Sequence, residues 1–133
     1  MTRSLSGSEP AVRCATFGDL PSQLVLSADE QTLAIGLSDR EVHLWDWRSN
    51  EAIGPVLMHP SGIEALAFSP FGHSLLTVDE LGMLRSWNLA TGELTLEESF
   101  GGTEGLSFVK FSRDARYLGL QYNDRTLRIV RLY

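Results

Sequence analysis

The stretch LRSWNLATGE, residues 84–93, is written more than once in this chain. An earlier version, VHLWDWRSNE, begins at Val42, and a later one, LRIVRLY, begins at Leu127. Trp87 follows Trp45 by 42 residues, and Val130 follows Trp87 by 43. A second marker keeps the same ruler. Ser27, Ser69 and Ser112 close LVLS, LAFS and VKFS at spacings of 42 and 43. Two independent markers on one period define a repeat, and a repeat governs how the rest of the chain is read.

The middle unit shows what is repeated. IEALAFS and SLLTVD are short apolar runs separated by Pro70-Phe71-Gly72, where Pro fixes one dihedral and Gly frees the next. MLRSWNL follows Glu80-Leu81-Gly82, and ELTLEES follows Ala90-Thr91-Gly92. Runs of five to seven residues split by such turns are strands, and four in series form an antiparallel meander, a to d. Strands a and b are almost wholly apolar, as for sheets covered on both faces. Strand d alternates, with Leu94 and Leu96 expected on one face and Thr95 and Glu97 on the other. Its counterpart in the first unit, AIGPVL, contains Pro55, which cannot donate to a central ladder, so strand d belongs at an edge.

These residues resemble the WD40-repeat β-propeller family. The resemblance rests on LAFSP-x-G at 66–72, Trp45-Asp46, the degenerate copy Trp87-Asn88 and the trailing NLATGE, and covers about residues 22–133. It implies an all-β fold of about three blades, each of four antiparallel strands, as an incomplete or oligomer-completed propeller. It also implies a hydrogen-bonded set of Trp, Ser/Thr, Asp and His within each blade, of which only pieces are present. The first blade has Trp45 and Asp39, with Phe17 in the His position. The second has Trp87, His59 and Thr77, with Leu81 in place of the Asp. The third has Asp124 and Thr126, with Gly102 and Val130 in the His and Trp positions. Trp45 and Trp87 are expected to be buried, and Trp47 less so than Trp45.

The spacing divides the chain into a flexible segment 1–10, an orphan strand d at 11–17, blades at 22–57 and 63–99, and a partial blade at 106–132. A closed propeller needs about 4–8 blades. An open arc would expose an apolar face at each end, forfeiting on the order of 10 kcal/mol per face at about 25 cal/mol/Å². The expectation is therefore association, either as a homodimer or with further WD40 blades, with the orphan strand pairing as strand d beside residues 126–132.

Composition is that of an ordinary globular domain, and the net charge of −6 argues against nucleic acid or an anionic membrane as the main partner. The single cysteine, Cys14, forms no intrachain disulfide and reads as a packing residue. MTRSLSGSEP lacks the apolar run of a signal peptide, so a soluble, cytoplasmic chain is expected. No metal or cofactor is expected: His43, His59 and His73 have no ligand spacing, and GGTEG at 101–105 lacks the Lys-Ser/Thr ending of a phosphate loop. His43 reads as a strand-surface residue and the Glu97-Glu98 pair as a solvated outer strand.

Propellers of this family act mostly as platforms for proteins and peptides. Serial topology places the b–c and d–a loops at one end, where Arg40, His59, Glu80, Glu104, Tyr122, Asn123 and Arg125 form the candidate partner face. A non-enzymatic protein-interaction scaffold is the leading reading. Two others stand beside it: the end of a larger WD40 signalling protein, and a small-ligand or enzyme propeller. The last would need convergent acids or histidines on strand a, which offers only Glu64, Ser107 and Lys110.

Overall fold

Among the described residues every regular element is a strand, and the apolar runs of the three repeat units form them. The computed structural model describes residue 17 and residues 20–38, 40–101 and 105–133. The segment 1–10, the orphan strand expected at 11–17 (Phe17 excepted) with its Cys14, and Asp39, Gly102 and Glu104 lie outside the described residues. The first sheet contains β1 (Pro21–Leu26), β2 (Thr32–Leu37), β3 (Glu41–Asp46), β4 (Glu51–Ala52) and β5 (Leu57–Met58). The middle sheet is β6 (Ile63–Phe68), β7 (Ser74–Asp79), β8 (Met83–Asn88) and β9 (Leu94–Ser99). The third is β10 (Leu106–Phe111), β11 (Tyr117–Tyr122) and β12 (Leu127–Arg131). All pairings are antiparallel between neighbours, in the order a-b-c-d where four positions are filled.

The outer strands depart from simple alternation. In the first sheet, position d is split: β4 pairs with Trp45 and Asp46, β5 pairs with Glu41 and Val42, and Gly54-Pro55 leaves the ladder between them. Pro55 has no N–H to donate, which accounts for the break. In the middle sheet the register slips between Ser86 and Trp87, so Leu94 pairs with Trp87 but Leu96 with Ser86. The two leucines therefore face opposite sides, contrary to the alternation read from sequence. The extra residue is Thr95, whose hydroxyl donates to Ser86 O at 3.0 Å.

The three sheets stack through their strand-a sides. Ala34, Val42, Leu44 and Leu57 of the first sheet pack with Ile63, Leu66, Leu75 and Trp87 of the middle one. On its other face, Ala65, Ala67, Leu76, Val78 and Leu84 pack with Val109, Phe111, Leu118 and Leu120 of the third. Among the described residues, the middle sheet is thus packed by a sheet on both faces and each flanking sheet on one. This explains why Trp87 is buried but Trp45, expected to match it, is half-buried like Trp47. Trp45 lies on the face of the first sheet turned away from the middle one, with Phe17 packed edge-on against it.

The turns repeat as faithfully as the strands. Left-handed φ values recur at Glu30, Gly72 and Ala115 in the a–b turns, and at Arg40, Gly82 and Arg125 in the b–c turns. Asn50 and Gly92 share the same conformation between c and d. The backbone requirement belongs to the fold, and side-chain residues occupy it at a cost of about 1–2 kcal/mol each. Gly82 is further constrained, because a Cβ there would lie 2.5 Å from Gly101 Cα. We predict that Glu30→Gly stabilises the chain by about 0.5–1 kcal/mol, and Gly82→Ala destabilises it by about 2 kcal/mol or more. Urea unfolding of both variants checks this; a neutral Gly82→Ala would contradict the close approach.

Candidate functional site

Two places in the fold gather the polar side chains: a relay buried in the middle sheet, and the loop end carrying the b–c and d–a connections. The relay starts at Trp87 on β8, whose indole N–H donates to Thr77 Oγ1 on β7 at 3.1 Å. His59 Nε2 lies 2.8 Å from the same hydroxyl, and His59 Nδ1 lies 3.2 Å from Leu57 O. A carbonyl can only accept, so Nδ1 carries the proton. Nε2 is then the bare nitrogen and accepts from the Thr77 hydroxyl. Every member has a partner of the right kind, and the His59 ring packs on Trp87 with centroids 5.1 Å apart. Burial, reinforced by the nearby Arg85 charge, holds the His59 pKa below its ordinary 6.5, consistent with the neutral ring the relay requires.

Leu81 stands where the family pattern has an aspartate, and Asp79, two residues earlier, ties the turn instead. Its Oδ1 accepts from the backbone N–H groups of Leu81 and Met83 at 2.9 and 3.0 Å. Its Oδ2 accepts from Arg85 Nη1 at 2.7 Å, and Arg85 Nε donates to Glu97 Oε2 at 3.0 Å. Burial works against the charged Asp79 carboxylate, but Arg85 and the backbone donors outweigh it and hold the pKa below the usual value. The sequence reading missed this trio. Its signal was an aspartate ending the apolar run SLLTVD with an arginine six residues on. That arginine is buried and ion-paired, unlike the half-buried His43 at the equivalent position, which meets Glu41 at 3.0 Å and the Phe17 ring.

The flanking sheets lack the relay. Ile35 occupies the Thr77 position of the first sheet and Phe17 the His59 position. The Trp45 indole nitrogen is buried there with no hydrogen-bond partner among the described residues. In the third sheet, Leu120 and Val130 replace Thr77 and Trp87. Asp124 and Thr126 are exposed and confined to a local turn, Asp124 Oδ1 accepting from Thr126 N at 2.9 Å.

At the loop end the backbone repeats one bond three times. Ser38 N donates to Leu20 O at 3.0 Å, Glu80 N to Gly62 O at 2.8 Å, and Asn123 N to Gly105 O at 3.0 Å. Each b–c turn is thereby fastened to the loop that enters its own sheet. Glu80 and Asn123 project from equivalent positions and are exposed, as are Arg40 and Arg125 at the left-handed turn position. Arg40 Nη1 reaches Pro60 O at 3.4 Å, across the junction to the next loop. Tyr122 does not join this face. It is buried between sheets, its hydroxyl donating to Phe100 O at 2.6 Å, because strand alternation turns it inward. His59 is likewise buried in the relay.

An open groove of about 710 Å³ runs along the strand-a side, lined by Gln23, Glu64, Phe108, Lys110 and Arg113 among others. Its polar groups are the acids Glu64 and Asp114, the Gln23 amide, the hydroxyls of Ser69 and Ser112, and the cations Lys110, Arg113 and Arg116. Ser112 Oγ donates to Asp114 Oδ1 at 2.9 Å as part of the a–b turn, and no histidine lines the groove. No cluster of three or more His, Cys, Asp or Glu suited to a metal occurs among the described residues.

Two predictions follow from the relay. Trp87→Phe removes a donor from Thr77, whereas Trp45→Phe removes an N–H that has no partner. Trp87→Phe should therefore cost about 1–3 kcal/mol more than Trp45→Phe in urea unfolding, and equal costs would refute the difference in hydrogen bonding. The lowered His59 pKa means that the unfolded chain binds more protons than the folded one below pH 6.5. Stability is then full above that value and declines as pH falls below it. His59→Gln should flatten this slope between about pH 6.5 and 5; an unchanged slope in the variant would exclude His59 as its source.

No protein-family model matches the chain. Individual proteins do. Transcription initiation factor TFIID subunit 5 of Caenorhabditis elegans is 30% identical over 102 residues, covering 75% of this chain and 15% of that protein. Nuclear distribution protein PAC1-2 of Uncinocarpus reesii is 28% identical over 67% of this chain and 22% of its own length. Periodic tryptophan protein 2 homolog of Schizosaccharomyces pombe is 33% identical over 71% of this chain and 11% of its own length. The chain thus spans less than a quarter of each of these relatives. All are WD40-repeat proteins, and they match a chain whose 42–43-residue period and stacked antiparallel sheets are those of propeller blades. The chain belongs to the WD40-repeat family.

Proposed function

We propose that the chain is a non-enzymatic scaffold that binds a protein or peptide on its loop end. The observation that carries this is the pair of repeat-equivalent polar positions there. Glu80 and Asn123 occupy one, and Arg40 and Arg125 the other, all exposed. The backbone beneath them is fastened by the same N–H to C=O bond in each sheet. Side chains on a fixed backbone lose less freedom on binding than those on a mobile loop, which favours recognition. Mixed charge suits an interface rim that sets orientation and on-rate. That one relative is named as a subunit of a transcription initiation factor agrees with work in an assembly. The mixed polar lining of the strand-a groove gives no support to catalysis. A cytoplasmic setting is part of the same proposal, resting on the single cysteine.

The experiment is quantitative crosslinking mass spectrometry in cells with three chains: wild type, Arg40→Glu/Arg125→Glu, and Glu51→Lys on the outer edge. The expected result is a set of protein partners crosslinked to wild type and Glu51→Lys but depleted about tenfold or more in the double variant. Partners retained equally by all three chains would overturn the assignment of this face.

A further inference from the structure

Among the described residues, the first and third sheets each have one face with no other sheet packed on it, and the repeat shows what those faces are shaped to meet. On the third sheet, register aligns Phe108, Gln121 and Leu127 in one row and Lys110, Gly119 and Ile129 in the next. This face points away from the middle sheet, and Phe108, Leu127 and Ile129 are 57, 70 and 73% exposed. One period earlier, these positions are Ala65, Val78 and Leu84, then Ala67, Leu76 and Ser86. That is the face with which the middle sheet buries the third.

The open face of the first sheet is the other half of the same junction. Leu24, Leu26, Leu33 and Ile35 lie two periods before Val109, Phe111, Leu118 and Leu120, which pack on the middle sheet. Leu24 and Leu26, on the strand-a side of this face, are 67 and 44% exposed, whereas Leu33 is half-buried and Ile35 is 6% exposed. Phe17 does not obstruct this face: it packs against Trp45 much as His59 packs on Trp87, and the junction beside Trp87 still forms.

Charge selects the same pairing. Residues 20–58 carry six acidic side chains and two arginines, whereas residues 105–133 carry six basic side chains and two aspartates. The third sheet already packs its covered face on an acidic neighbour, since residues 59–101 hold six acids and one arginine. Lys110 and Arg131 are the charged residues of its open face, with no acid among the rows that share it.

We propose that a second copy of this chain docks head to tail, its first sheet covering the open face of the third sheet as the in-chain junctions do. The contact is heterologous, between two different faces, so it propagates or closes into a ring. It is separate from the loop-end reading, because the two surfaces share no residue.

Sedimentation velocity on the full 133-residue chain tests this, with circular dichroism and thermal melts to establish that each variant is folded. Wild type should sediment above the 14.7 kDa chain mass, and its association should weaken as salt rises from about 50 to 500 mM. Leu24→Asp blocks one face and Ile129→Asp the other. Each variant alone should be monomeric, and an equimolar mixture should form a dimer through the one intact pair of faces. A wild type that stays monomeric at both salts overturns the proposal, including one that instead binds a short nucleic-acid duplex. So does an assembly that survives either substitution, or a mixture of folded variants that stays monomeric.

Discussion

A four-stranded sheet of this kind cannot cover its own two apolar faces, and the arrangement of the whole chain follows from that constraint. Burial is supplied by the neighbouring sheet, so each sheet is as protected as its flanks allow. The middle sheet, packed on both sides, holds fully buried Leu75, Leu84, Val78, Thr77 and Asp79. The third sheet buries Leu118 and Leu120 on one face and leaves Leu127 and Ile129 in water on the other. Stability is therefore graded along the stack rather than spread evenly across it.

The same gradient explains where the polar network survives. A buried hydrogen-bonded relay contributes only when every donor and acceptor is matched, because an orphaned group keeps its full desolvation penalty. In the middle sheet, Trp87, Thr77, His59 and the Leu57 carbonyl match completely. The Asp79–Arg85 pair beside them is buried but held by backbone donors and Glu97. In the flanking sheets, apolar Ile35, Phe17, Leu120 and Val130 take the polar positions, and packing replaces the network. Trp45 is the exception: its N–H remains after its acceptor position has become Ile35.

The turns link this architecture to recognition. Left-handed positions one period apart, and one backbone bond repeated in three sheets, set Arg40, Glu80, Asn123 and Arg125 at the same end of the stack. The scaffold thus fixes where the variable side chains stand, while their identities are free to differ between repeats. Gly82 shares the conformation of Arg40 and Arg125 but not their side chain.

The sequence by itself determined the repeat, the strand identity of each described run and the place of the loop end, because periodicity and turn residues act locally and recur. It also named His59, Thr77 and Trp87, since the family pattern fixes their positions within one unit. Reading Tyr122 onto the loop face overlooked its alternation with Leu118 and Leu120, which turns it inward. The sequence did not reveal the bulge at Thr95, which depends on register between strands. Nor did it show that Trp45 would be half-buried while Trp87 is buried: the two occupy equivalent positions in their own sheets. Only the tertiary structure decided that difference, because burial of a blade face is set by whether another sheet lies against it, and no residue within the repeat encodes its neighbour.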